Sequence, residues 1–158
     1  MPDNPIFDFS FVIPAFNEEN NLVPLVDRVN KVMSSVKKTY ELIIVDNGSF
    51  DSTPKVLNQL LQKNEMLVVV TLSRNFGYEG AIEAGLKHVR SKKIFVMDGD
   101  QQDPPEAIPE FIEKSEEGYE IVYGIRKTRT EGWFISILIK IFYRVMAKIS
   151  NFHIPKDA

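Results

Sequence analysis

Asp98, Gly99 and Asp100 close a short apolar run at residues 94–97, and Asp103, Pro104 and Pro105 follow in IFVMDGDQQDPPE. Carboxylates delivered by a buried strand repel one another at close range and lose hydration, so an uncompensated pair is costly. A divalent cation relieves both costs. Oxygen-only ligands suit hard ions such as Mg2+ or Mn2+, which keep several waters and bridge to substrate phosphates. Gly99 permits close approach of backbone and ligand, and the two prolines stop the strand and suit the first turn of a helix. The bland alternative is a solvated turn with capping acids, and three residues do not decide between the two.

The elements that must position these groups alternate from end to end. Residues 9–15 form a compact apolar run, and Leu22–Val36 places Leu22, Leu25, Val26, Val29, Val32 and Met33 at helical spacing. Runs at 42–45 and 66–72 lack polar alternation, as strands covered on both faces do. A helix capped by Asp51 or Ser52 runs to Gln62, and others are predicted over 78–89 and 105–117. Residues 94–97 supply the fourth strand and 120–123 a fifth. The predicted class is α/β, a largely parallel sheet flanked by helices, with no internal repeat or long linker.

In that scheme the polar residues fall at strand ends. Asn17 and Glu18 follow the first strand, Asp46 and Asn47 the second, Ser73, Arg74 and Asn75 the third, Asp98 and Asp100 the fourth, and Arg126 the fifth. Open α/β sheets bind ligands outside the carboxyl ends of their strands, and such convergence is harder to explain by solvated turns than any one residue alone. The 158 residues, 44% hydrophobic and 26% charged, are enough for a real core. A net charge of -3 argues against a nucleic-acid partner, so any phosphate must be held locally. With no cysteine there is no disulfide, thiolate metal site or cysteine nucleophile. His88 and His153 lack metal-ligand spacing. Residues 1–8 are acidic and proline-containing where a signal peptide would be basic and then apolar, so a cytoplasmic location is expected.

Four segments in order, FVIPAFNEENNL (11–22), ELIIVDNGSFDST (41–53), LSRNFGYEGAIEAGL (72–86) and VMDGDQQDPPE (96–106), resemble family 2 inverting glycosyltransferases of the Rossmann-like GT-A fold. The similarity is greatest to the polyprenyl-phosphate branch, which includes dolichol-phosphate mannose synthase and bacterial undecaprenyl-phosphate glycosyltransferases. The resemblance implies transfer of a hexose from a UDP- or GDP-linked sugar to a polyprenyl phosphate, with inversion and with Mg2+ or Mn2+ as cofactor. It places Pro14, Ala15 and Glu18 around the nucleotide, and Asp46 and Asn47 at the base. Asn47 stands where the family often has a second Asp; its amide oxygen can accept an imide N–H, without charge assistance. Asp98 and Asp100 correspond to the metal-binding pair, with Asp100 the direct ligand and catalytic residue and Asp98 nearer the nucleoside. Gly99, Gln102 and Asp103 belong to the adjacent donor-sugar region, and Arg74, Asn75 and Gly77 to the donor-site loop. Arg126, with Lys127 and Arg129, would hold pyrophosphate or the acceptor's phosphate. Each has an ordinary alternative: a surface ion pair for Arg74, a backbone need for Gly77, a solvated basic turn for Arg126.

Residues 131–150 (EGWFISILIKIFYRVMAKIS) place aromatic and aliphatic side chains at helical spacing and Lys140, Arg144 and Lys148 on another face. Lys140 interrupts the apolar run short of the roughly 18 residues of a membrane span, so an amphipathic helix lying on the bilayer is expected. The other reading is a helix packed on the sheet with its basic stripe in water. Residues 154–158 (IPKDA) resemble the opening of the family's acceptor-site motif, with Asp157 matching its first, catalytic Asp. The expected organisation is therefore a nucleotide-sugar-binding core over 1–130, the amphipathic helix over 131–150, and an incomplete acceptor segment over 151–158. A C-terminally truncated enzyme is expected, peripheral to the membrane or, in a longer form, anchored in it; homo-oligomerisation is left open.

Rival classes fit less well. A nucleotidyltransferase needs a Gly-rich phosphate loop after its first strand, and residues 14–19 are not one. A phosphohydrolase with a nucleophilic Asp would, by analogy, carry it after the first strand rather than the fourth. A transferase acting on a hydroxyl acceptor, or a non-catalytic nucleotide-sugar-binding remnant, stays open.

Overall fold

The computed structural model describes residues 6–124. Four strands, β1 (Phe7–Ala15), β2 (Tyr40–Asp46), β3 (Leu67–Thr71) and β4 (Ser91–Val96), form one parallel sheet in the order β3-β2-β1-β4. Between them run α1 (Leu22–Val36), α2 (Thr53–Leu61) and α3 (Gly77–Leu86), the crossovers that parallel pairing requires. The register sets Ala15 beside Asp46 and Asp46 beside Thr71, so the carboxyl ends of β1, β2 and β3 lie level on one edge.

Burial follows position in the sheet. Central β1 and β2 are buried through almost their whole length, as their unbroken apolar runs require. β3 and β4 are the edges, and most of their residues are only half-buried, unlike the fully covered strands that the same apolar pattern predicts for β3. α1 buries Leu22, Leu25, Val26, Val29 and Met33 on one face and ends at Lys37 in the left-handed region. α3 lies tight on the sheet because of Gly85: a Cβ there would sit 2.5 Å from Val12 Cγ1 and 3.0 Å from Val45 Cγ2. Phe95 stacks on Phe11, with ring centroids 4.9 Å apart, joining β4 to β1.

Glu41 explains why β2 starts before its apolar run. Its side chain is fully buried, accepts hydrogen bonds from Ser10 Oγ (2.6 Å) and the Arg90 backbone N–H (2.7 Å), and pairs with the Arg90 guanidinium at 2.8 Å. A charge inside a strand is tolerable when so many donors meet it.

Three elements differ from expectation. The helix predicted to reach residue 89 stops at Leu86, where the His88 N–H turns back to the Gly85 carbonyl at 2.9 Å and redirects the chain into β4. The helix predicted from 105 begins instead as a 3₁₀ turn, Pro105–Ala107, and becomes α-helical as α4 at Ile108–Glu116. Pro109 has no N–H for the Pro105 carbonyl, which takes the Ile108 N–H instead. Residues 120–123 are not a strand; Ile121 is 81% exposed, and among the described residues the sheet has four strands. An apolar run becomes a strand only where a neighbour completes its ladder. Residues 6–110 belong to one compact unit and a second begins at Phe111, within α4. Among the described residues no helix is long and apolar enough to cross a membrane.

Candidate functional site

The strand order reverses between β1 and β4, where a doubly wound sheet opens its ligand crevice. The loops leaving these two strands meet there. A Cβ on Gly99 would lie 2.9 Å from the Pro14 carbonyl oxygen, 3.6 Å from Glu18 Cγ and 3.8 Å from Ala15 Cα. Only a glycine lets the DGD turn approach the end of β1 so closely.

Within that turn each acid is fixed locally. Asp98 Oδ1 accepts a 2.7 Å hydrogen bond from the Tyr78 hydroxyl, and the Asp98 N–H points at Asp103 Oδ2 at 3.4 Å. Asp100 Oδ1 accepts the Gln102 N–H at 2.9 Å. Gln101, at φ 64°, donates to Asn21 Oδ1 and accepts from Arg28, whose guanidinium also forks onto Glu106 at 2.6 and 3.0 Å. The acidic loop is thereby tied to the face of α1. The Tyr78 phenol is pushed well above its usual range, by burial first, then by its bond to Asp98 and the charges of Asp98, Asp103 and Asp100. All three carboxylates therefore contribute to one region of negative potential.

The β1–α1 and β2–α2 loops are joined in the same way. The Asn17 N–H donates to Ser49 Oγ (2.9 Å) while Asn17 Oδ1 accepts the Phe50 N–H (3.0 Å). Glu18 N–H donates to Thr53 Oγ1, and Glu18 Oε2 accepts from Asn21 Nδ2 at 2.6 Å. Of the two predicted caps of α2, Ser52 holds the N-cap position without a side-chain cap bond, while Asp51 before it accepts the Thr53 N–H at 2.9 Å and the Glu19 N–H at 3.3 Å. Asp46 is buried, with Oδ1 on the Ser49 N–H.

Asn47 spends its amide on the loop after β3. Nδ2 donates to the Gly77 carbonyl (3.0 Å) and Asn75 Oδ1 (3.2 Å), and Oδ1 accepts the Phe76 N–H (2.9 Å). Asn75 Oδ1 also takes the Gly77 N–H at 2.8 Å, and Gly77, at φ 83°, opens α3. Arg74 lies over the Phe76 ring, 4.7 Å from its centroid, and its backbone abuts Gly48, where a Cβ would come within 2.6 Å.

Two groups of the residues picked from sequence thus assemble. Pro14 and Ala15 at the end of β1 lie at the β1/β4 crevice with Glu18, Asp98, Gly99, Asp100, Gln102 and Asp103 of the adjoining loops, while Asp46 at the end of β2, Asn47, Arg74 and Asn75 in the loops after β2 and β3, and Gly77 at the start of α3 form the second group. Arg126, Asp157, the helix expected over 131–150 and the acceptor segment over 151–158 lie outside the described residues. Sequence reasoning missed Tyr78, read only as a helix start, and Arg28, which it did not single out. No local signal marks either, because their partners are 20 and 78 residues away.

Among the described residues no group of three or more His, Asp or Glu side chains could hold a metal unaided. The donor set nevertheless fits Mg2+ or Mn2+, which bind through one or two carboxylates and complete their shells with water and substrate phosphates. Asp98 and Asp100 offer two carboxylates on one glycine-centred turn.

Residues 10–156 match the family model for Glycosyl transferase family 2, and the chain belongs to that family. It is 42% identical over 151 residues to the uncharacterized glycosyltransferase sll0501 of Synechocystis, covering 95% of this chain and 48% of that protein. The chain spans about half the length of the curated relatives it matches. Among solved structures, the mannosyltransferase PcManGT from Pyrobaculum calidifontis, in complex with GDP-Man and Mn2+, superposes with a TM-score of 0.55 at 18% identity, covering 68% of this chain and 32% of that one. S. aureus TarS 1-349 in complex with UDP-GlcNAc gives 0.54 at 19% identity, covering 77% and 38%. These likenesses establish the GT-A arrangement of a parallel sheet flanked by helices.

Proposed function

We propose that this chain binds a nucleotide diphosphate sugar at the carboxyl edge of its sheet and transfers the hexose, with inversion, to a polyprenyl phosphate. The observation that carries the reading is the meeting of the DGD turn with the end of β1 at the strand-order reversal, which Gly99 makes possible. The four ordered motifs support the acceptor class, and relatives in complex with GDP-Man and with UDP-GlcNAc support the donor class.

In this reading Asp98 and Asp100 would hold Mg2+ or Mn2+, and the ion would supply positive charge where the leaving diphosphate carries negative charge. Pro14, Ala15 and Glu18 flank the nucleotide. Asp46 faces the base, and Asn47 acts by shaping the adjoining loop with its fully engaged amide. Gln102 and Asp103 line the sugar, and Arg74 and Arg126 supply positive charge. A phosphate monoester has its second pKa near about 6, so the acceptor is already a dianion at neutral pH and needs no strong general base.

Titration of UDP-sugars and GDP-sugars with and without Mn2+ tests the donor assignment, and sugar transfer to polyprenyl phosphate tests the acceptor. Asp100→Ala is expected to abolish metal-dependent nucleotide binding while leaving the fold intact. Equal nucleotide affinity in wild type and variant, with Mn2+ present, overturns the metal assignment.

A further inference from the structure

We propose that Tyr78 is a positioning residue for the metal-binding turn, acting through Asp98. This rests on the metal-assisted reading above and adds to it a residue from a different element. Tyr78 is the second residue of α3, and the backbone beneath it is immobilised: Gly77 is held through its N–H by Asn75 Oδ1 and through its carbonyl by Asn47 Nδ2. From that fixed base the phenol reaches across to the end of β4 and donates to Asp98 Oδ1 at 2.7 Å. On its other side the Asp98 peptide N–H faces Asp103. The carboxylate is thus oriented from outside its own loop.

An ionised carboxylate has about four lone-pair sites, so a single hydrogen bond on Oδ1 leaves capacity for a cation. Ligating carboxylates are themselves hydrogen-bonded in metal sites, and losing such a partner typically costs about tenfold or more in metal affinity. The chain of contacts runs from Asn47 at the end of β2, through the loop at 75–77 and Tyr78, to Asp98 at the end of β4. It joins the two halves of the candidate site through the Gly77 backbone and the side chains of Asn47, Asn75, Tyr78 and Asp98.

Tyr78→Phe removes the hydroxyl and keeps the ring, and because the residue as a whole is 48% exposed the change opens no internal cavity. The test is calorimetric titration of UDP and of GDP into the full chain, with and without Mn2+, with free Mn2+ counted by its paramagnetic resonance signal. The expected result is a loss of about tenfold in Mn2+ affinity of the nucleotide complex, with metal-free nucleotide binding and melting temperature unchanged. In an Asp98→Ala background, where the acceptor of the Tyr78 hydroxyl is gone, the same substitution should have no further effect, since coupling through one partner is non-additive. Unchanged or tighter Mn2+ binding in Tyr78→Phe, or an equal loss in both backgrounds, overturns the assignment. A wild type whose nucleotide affinity ignores Mn2+ overturns the metal reading itself, and the wild-type titration reports that separately.

Discussion

Asn47 is the residue whose chemistry the structure changes most. As a sequence feature it is a base-recognising position with an amide in place of a carboxylate. In the fold both ends of that amide are engaged by the loop after β3, and the side chain is 4% exposed. An Asp there has no N–H to give, so Asn47→Asp would set a carboxylate oxygen against the Gly77 carbonyl and Asn75 Oδ1. Losing those bonds in a buried place is expected to cost about 2 kcal/mol, read by urea unfolding. The loop carrying Arg74 and Tyr78 should loosen, and nucleotide affinity should fall together with stability. A variant as stable as wild type would show that the latch is not needed.

The ion pairs Arg90–Glu41 and Arg28–Glu106 each join separate elements, and they differ in what holds them. Glu41 on β2 is fully buried and meets Arg90, Ser10 and a backbone N–H at the amino edge of the sheet, away from the candidate site. Removing its cation leaves a buried, under-compensated charge, so Arg90→Ala is expected to destabilise the fold by about 3 kcal/mol without altering nucleotide binding by the remaining folded protein; calorimetry of both checks this. Arg28 on α1 and Glu106 in the 3₁₀ turn form an exposed pair whose consequence is pH dependence. The bond from Arg28 holds the Glu106 carboxyl at about 2, below its ordinary 4.5. A depressed carboxylate stabilises the fold above its unfolded value, and that contribution disappears as pH falls from about 4.5 toward 2. Denaturant unfolding at neutral pH and at pH 3 should therefore show a larger acid loss in wild type than in Glu106→Gln.

For the molecule as a whole the open question is the surface on which it works. A net charge of -3 gives no general attraction to anionic lipid, so any such binding must come from a local basic stripe. Lys140, Arg144 and Lys148 provide it if residues 131–150 lie on a bilayer, each well-placed basic residue contributing on the order of 1 kcal/mol. The chain is expected to float with anionic liposomes, less so as salt rises, and changing the three residues to Glu should release it while nucleotide binding persists. Absence of flotation, with Trp133 fluorescence unmoved by vesicles, would remove the membrane component and favour a soluble acceptor.

The sequence alone determined the alternation of strands and helices, since apolar periodicity is local and each run carries its own signature. It also determined that Asn17, Asp46, Arg74 and Asp98 would share one edge, because strands joined by helical crossovers run parallel and leave their carboxyl ends on the same side. Tertiary structure decided the order β3-β2-β1-β4, and with it the crevice between β1 and β4 into which Gly99 fits. It decided that Glu41 is buried, that Asn47 is a latch, that Tyr78 reaches Asp98, and that residues 120–123 do not join the described sheet. The reason is the same in each case. A hydrogen bond between residues 20 to 78 positions apart, or a ladder between strands, depends on which elements pack side by side, and no pattern within one element encodes its neighbour.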